Sequence, residues 1–408
     1  MDNEKIIAQE ILTDSDVTAH TAAMWKYNPV PEAPEPYPEA ICSRDSSKSF
    51  EVIAASVRGK KHKHDGSNRD DGYAAAFVKN AVIAVVSDGA GSKAFSRIGA
   101  KCSCEAVVKF IKAGLSALKR KNPDYEAALG KPLDSPEFGQ VCSEIAGMLR
   151  DSYAEAFAAV EAALEKRKEL PEFIEAVERT PEIKDLSCTL LTSLTIPVET
   201  ENGREFFTAA IQLGDGIIAS VDENAPAGSA LTLLGTADSG SFAGETEFLT
   251  SEPMRSADSL MARTKVRRGK MTSLMLMTDG VADDYYPNDP QLLRLMLDLR
   301  MNGILPVPEG TDTQPEISGE KIPAPVEYPW VNDGNVKYAL QYGKNVLSES
   351  GLTLSQLWER ADVQKKASLA ALGKVYEEKS EEMLKIWLDN YVERGSFDDR
   401  TLAVVKVR

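Results

Sequence analysis

Hydrophobic positions along the chain change period several times, and each change marks an element. SFEVIAASV, residues 49–57, alternates and then runs apolar, and AAAFVKNAVIAVV, residues 74–86, gives two further runs of strand length broken by Lys79-Asn80. From about Ala94 to Lys121 the spacing turns helical. Residues 137–179 read as helix again, with Val141, Ile145, Met148, Leu149, Tyr153 and Phe157 three to four apart. CTLLTSLTIPV and EFFTAAIQLGDGIIASV predict an antiparallel pair joined through Asn202-Gly203, a strong hairpin signal. SLMLM, residues 273–277, is a short buried strand, residues 352–389 are helical, and TLAVVKV closes the chain as a strand. Strands, long helices, more strands, another helix and a last strand predict an α+β layered fold.

Proline divides this pattern. Residues 28–38, NPVPEAPEPYP, resist both helix and sheet ladders, so 1–45 is expected to be a loosely ordered N-terminal arm ahead of one domain, 46–408. Residues 303–329 are likewise proline-rich and polar, and 287–375 reads as an insertion. Its aromatic residues Tyr328, Trp330, Tyr338 and Tyr342 offer contact area for a partner or a small satellite core.

Charge narrows the function classes. The formal charge is −16 over 408 residues, which excludes a phosphate-backbone binder, because nucleic-acid affinity comes from clustered Lys and Arg. The first residues, MDNEKIIAQE, lack the basic and apolar regions of a secretory signal, and no run approaches a membrane span. Five scattered cysteines suit a reducing compartment, so the cytoplasm is the expected location. Cys102 and Cys104 lie in a helical pattern that cannot place both thiols on one face, and are expected to be plain buried thiols.

The chemistry lies where strands end. AVVSDGAGS places Asp88 after an apolar run, LGDGI places Asp215 between glycines, LMTDGVADD places Asp279 before Gly280 and Asp283 four residues on, and SFDDRT places Asp398 and Asp399 before the last strand. One such aspartate is ordinary turn chemistry; four acidic turns of one grammar are not. Converging carboxylates stay ionised together only around cations, and an all-oxygen set without His or Cys selects hard ions, Mg²⁺ or Mn²⁺. GAGSK lacks the spacing of a nucleotide-binding P-loop. Ser92, Lys93 and Arg97 open a helix at a place suited to anions, and KVRRGK, residues 265–270, reads as a solvated turn.

The series SDGAGS, GDG, TDGVADD and SFDDRT, preceded by NRDD at 68–71, resembles the metal-dependent type 2C protein phosphatase family, in its bacterial branch. The resemblance implies a four-layer α-β-β-α sandwich with two antiparallel sheets. It further implies two Mn²⁺ or Mg²⁺ ions, with a third weaker ion, and hydrolysis of phosphoserine and phosphothreonine by direct attack of a metal-bridging hydroxide. Carried across, Asp88 bridges the metals, the Gly89 carbonyl binds one, Asp279 and Asp398 complete the other, and Asp70 holds metal-bound water. Asp215 and Asp283 serve the third ion with Asp279 shared.

Two departures matter. Arg69 replaces the family's first acid before Asp70; it is a candidate contact for substrate phosphate, with Asp71 next to it as a compensating acid. Relatives with a strong phosphate-binding arginine place it three residues after a glycine, and that offset from Gly59 falls on His62, a candidate for touching the phosphate or for giving a proton to the leaving group. His64 shares its loop. Expected partners are phosphoproteins and a cognate Ser/Thr kinase or its targets. The rival expectation is a catalytically weak, phosphatase-like module that binds phosphoproteins.

Overall fold

The computed structural model of the chain describes residues 25–235, 247–307, 353–358, 369–390 and 397–408. In chain order the first elements are β1 (Ala40–Ser46), β2 (Phe50–Val57), the short helix α1 (Lys60–Asp65), β3 (Gly72–Val78) and β4 (Ala81–Ser87). Four helices follow, α2 (Ser96–Lys121), α3 (Tyr125–Gly130), α4 (Pro136–Glu165) and α5 (Pro171–Val177). Next come β5 (Leu190–Thr200), β6 (Gly203–Leu213), β7 (Ile217–Val221), β8 (Leu231–Leu233), α6 (Ala257–Arg263), β9 (Thr264–Gly269) and β10 (Ser273–Met277). The chain ends with α7 (Asp279–Ala282), α8 (Asn288–Met301), α9 (Leu354–Trp358), α10 (Leu369–Asn390) and β11 (Arg400–Val407).

Alternation along the strands builds the layers. The strands form a six-stranded sheet ordered β1-β2-β11-β10-β7-β8 and a five-stranded sheet ordered β3-β4-β5-β6-β9, and every pairing is antiparallel. Val52, Ala54, Val82, Ala84, Leu274, Leu276 and Val405 face the gap between the sheets. Their neighbours in sequence point outward. Ile83 and Val85 pack under α2 and α4, while Ile53, Ala55, Met275 and Met277 pack under α8 and α10. This is the expected four-layer α-β-β-α sandwich.

The structure corrects several boundaries. The expected strand over EFFTAAIQLGDGIIASV is two strands in different sheets: β6 stops at Leu213, Gly214 takes φ +113°, and the chain crosses to begin β7 at Ile217. A residue with a β-carbon is strained at that angle, so the glycine makes the crossing possible. KVRRGK is no solvated turn; most of it is edge strand β9, paired with β6, its Arg268 paired with Glu205 at 3.2 Å. Edge strands tolerate such charges, which hide them from a hydrophobicity reading.

The arm is likewise partly built, since β1 is an edge strand paired along its length with β2. The front of the expected insertion belongs to the core: Leu292, Leu295, Met296 and Leu299 of α8 are fully buried. Tyr328, Trp330, Tyr338 and Tyr342 lie outside the described residues. Cys104 is buried and Cys102 partly so, both free thiols. Among the described residues, no helix is long and apolar enough to cross a membrane.

Candidate metal centre and active site

Antiparallel register gathers the acidic turns. Arg400 pairs with Val57, Met277 with both Leu402 and Ile217, Gly72 with Ser87, and Leu190 with Leu213. The turns carrying Asp70, Asp88, Asp215, Asp279 and Asp398 therefore all leave the sheets at one end of the sandwich. The other end is closed by packing, as where Phe50 meets Phe206 at 5.7 Å between centroids.

At that end Asp88, Asp215 and Asp279 each present a carboxylate oxygen, all within 4.8 Å of one another. Burial, with the neighbouring carboxylates adding to it, pushes Asp88 and Asp279 well above the usual carboxylate range; for Asp279 the repelling neighbours are Asp215, Asp71, Asp398 and Asp283. Asp283 is raised by burial and by Asp215. The backbone of Asp88 is fixed by Thr189, whose N–H donates to its carbonyl and whose Oγ1 accepts from its N–H, both at 2.8 Å. Beside it Gly89 has no room for a side chain: a β-carbon would stand 2.5 Å from the carbonyl oxygen of Asp70.

Asp71 enters this cluster more directly than Asp70. Thr278 and Thr401 donate to Asp71 Oδ2 at 2.9 and 2.7 Å, and its carboxylate lies against that of Asp88. The other oxygen of Asp71, Oδ1, is buried without a donor. Two carboxylates in contact hold together only by sharing a proton or a cation. The donor set is oxygen throughout, so the residues present fit hard divalent ions.

A second group adjoins the first. His62 on α1, 3 % exposed, places Nδ1 at 2.8 Å from Asp399 Oδ1, and its Nε2 at 3.8 Å from Asp398 and 4.0 Å from Asp70. Burial alone would lower its pKa, yet Asp399, Asp70 and Asp398 together raise it to about 9. Asp399 also accepts the backbone N–H groups of Gly59 and Asp70. Burial opposes its charge, but His62 and those two amides hold it below the ordinary carboxylate range. Asp398 is more exposed, with a third of its side chain accessible.

The structure thus brings together Asp88, Asp215 and Asp279, sets Asp283 beside Asp215, and puts Asp398 with His62, still close enough to repel Asp88 and Asp279. Arg69, named as a candidate phosphate contact, is 3 % exposed and donates to Ser56 Oγ, to the Asp71 carbonyl and to the Pro38 carbonyl, so its guanidinium braces the loop. Arg97 likewise donates to the carbonyls of Pro34, Glu35 and Ala94. Asp399, Thr278 and Thr401 are participants to which the sequence reading gave no role, and Asp71, there only a compensating acid, is a direct neighbour of Asp88.

A model of the family described as protein phosphatase 2C matches residues 58–303, 246 of the 408 residues, and the match takes in His62, Asp71, Asp88, Asp215, Asp279 and Asp283. The chain belongs to the protein phosphatase 2C family. Membership places it among the protein serine/threonine phosphatases. Solved structures to which it is similar include RsbX in complex with magnesium, at 9 % identity over 90 % of this chain and 100 % of that one, TM-score 0.32. A bacterial serine phosphatase is similar at 11 % identity, 91 % and 98 % coverage and TM-score 0.37. The serine-threonine phosphatase 2C from Toxoplasma gondii gives 11 %, 91 % and 100 %, and 0.38. No curated protein matches the chain.

Proposed function

We propose that this phosphatase 2C chain hydrolyses phosphoserine and phosphothreonine in proteins with two divalent ions, Mn²⁺ or Mg²⁺, held by Asp88, Asp215 and Asp279 with Asp71, Asp283 and Asp398 around them. The observation that carries the reading is the convergence of these carboxylates: Asp88, Asp215 and Asp279 each bring an oxygen within 4.8 Å of the others, and burial with mutual repulsion pushes Asp88 and Asp279 well above the usual carboxylate range. When bound, such ions would supply an activated water and neutralise phosphate charge, which would allow direct attack on phosphorus with no phosphorylated side chain.

The protein's own groups do the rest. Asp71, its Oδ2 fixed by Thr278 and Thr401, would help hold the ions at Asp88. His62, with Nδ1 engaged by Asp399, keeps Nε2 toward Asp70 and Asp398, where as an imidazolium it meets a phosphate oxygen or gives its proton to the departing serine or threonine oxygen. The rival reading, a phosphoprotein-binding module without turnover, is motivated by Arg69 and by the 287–375 insertion, and a turnover assay separates the two. Phosphoproteins and a Ser/Thr kinase acting on the same targets are the partners this reading expects.

The test is turnover of a phosphothreonine peptide in isotopically labelled water with Mn²⁺. One labelled oxygen per released phosphate, with no phosphorylated protein trapped early in the reaction, is expected. Accumulation of a phosphoenzyme, or no phosphate release at all, would overturn it.

A further inference from the structure

The stretch between Trp25 and Glu39 is clamped to the loop that carries His62. The indole of Trp25 meets the His64 ring edge-on at 5.2 Å between centroids and lies 5.1 Å from the ring of Phe397, the residue before Asp398. Hydrogen bonds follow the contact. Lys26 N–H donates to His64 Nδ1 at 3.0 Å and Asn28 N–H to the Lys63 carbonyl at 2.7 Å. Arg58 ties the two segments together from beneath: its buried guanidinium donates to the Asn28 carbonyl at 3.0 Å, to Glu39 at 2.7 Å and to the carbonyl of His62 at 2.8 Å.

We infer that residues 25–39 form a strap that positions His62, with Trp25 as its wedge. The inference rests on the reading of His62 as a group that meets the substrate phosphate. A six-residue helix such as α1 cannot hold itself in place, since an isolated helix of that length is far below the size that is stable in water. Asp399 fixes the imidazole on one side, and Arg58 carries the order of the strap to the backbone on the other. Trp25 is therefore a positioning residue. Its ring contacts are with His64 and Phe397, and it acts through them and the backbone between them. Misplacing a reacting group by about 1 Å costs up to roughly 100-fold in rate, so partial loosening of the strap is worth about tenfold.

The experiment uses the full chain and four variants: Trp25→Ala, Trp25→Phe, His62→Ala and the double variant Trp25→Ala/His62→Ala. Turnover of a phosphothreonine peptide at saturating Mn²⁺ is measured with amide hydrogen exchange of residues 60–68. Trp25→Ala is expected to lower kcat about tenfold with KM and Mn²⁺ dependence unchanged, to speed exchange in the loop, and to be rescued by Trp25→Phe. In the His62→Ala background it is expected to cost less than about twofold, because two changes acting through one group do not add. Equal losses in both backgrounds, or no change in exchange, would overturn the strap while leaving the phosphatase standing. Full activity of His62→Ala would remove the group being positioned. A wild-type chain inactive on the peptide would overturn the phosphatase reading itself, and unchanged exchange in Trp25→Ala would then reject the strap independently.

Discussion

Replacing Asp399 by asparagine removes the charge at the centre of the His62 clamp and keeps its shape. His62 is raised from 6.5 to about 9, which at about 1.4 kcal/mol per pH unit corresponds to about 3 kcal/mol. Counted instead as one hydrogen bond between charged groups, the pair contributes about 1.5–3 kcal/mol. Asp70 and Asp398 share in raising the imidazole, so about 2 kcal/mol falls to Asp399. The sign follows from the direction of the shift. A base held above its unfolded value stabilises fully below that value, here 6.5, and the stabilisation disappears as pH rises through about 9. Urea unfolding of wild type and Asp399→Asn, with a chelator present, is the assay. The stability difference should shrink by about 2 kcal/mol between roughly pH 6 and pH 10. A difference that stays constant across that range would refute the ion pair as the source of the stability.

Three further substitutions separate roles in and around the site. Asp71→Asn should lower kcat on a phosphothreonine peptide on the order of 100-fold, and Asp70→Asn by about tenfold or less, because only the former carboxylate lies against Asp88; the opposite ranking would return the role to Asp70, as the sequence alone suggested. Arg69→Met should leave KM for the peptide unchanged while unfolding studies show a loss of about 3 kcal/mol, since the guanidinium serves Ser56 and two backbone carbonyls. A raised KM at unchanged stability would make it a phosphate ligand after all.

What could be read from the sequence follows from what each residue does locally. Asp88, Asp215 and Asp279 stood out because an apolar run must stop where a carboxylate and a glycine begin, and that punctuation is visible without a fold. The strand ends that bring them together are set by long-range pairing, which no local pattern contains. Asp398 and Asp399 are the same residue type side by side. Which of them is buried against His62 depends on the Arg400–Val57 register and on the Gly59 and Asp70 amides arriving from a segment over 300 residues away in sequence. The NRDD stretch misled for a similar reason: it is an irregular loop ahead of β3, with no period from which side-chain directions could be read, and only tertiary contacts send Arg69 to Ser56 and the Pro38 carbonyl and Asp71 to Thr278 and Thr401. β1 and β9 went unread because an edge strand exposes one side and need not be apolar.

The most direct test of the account compares phosphate release from a phosphothreonine peptide by the wild-type chain and by Asp279→Asn over a titration of Mn²⁺, with calorimetric metal binding measured on the same samples. Metal-dependent turnover in the wild type, with turnover and tight Mn²⁺ binding both lost in the variant, is the predicted result. Retained activity of Asp279→Asn at saturating Mn²⁺ would contradict it.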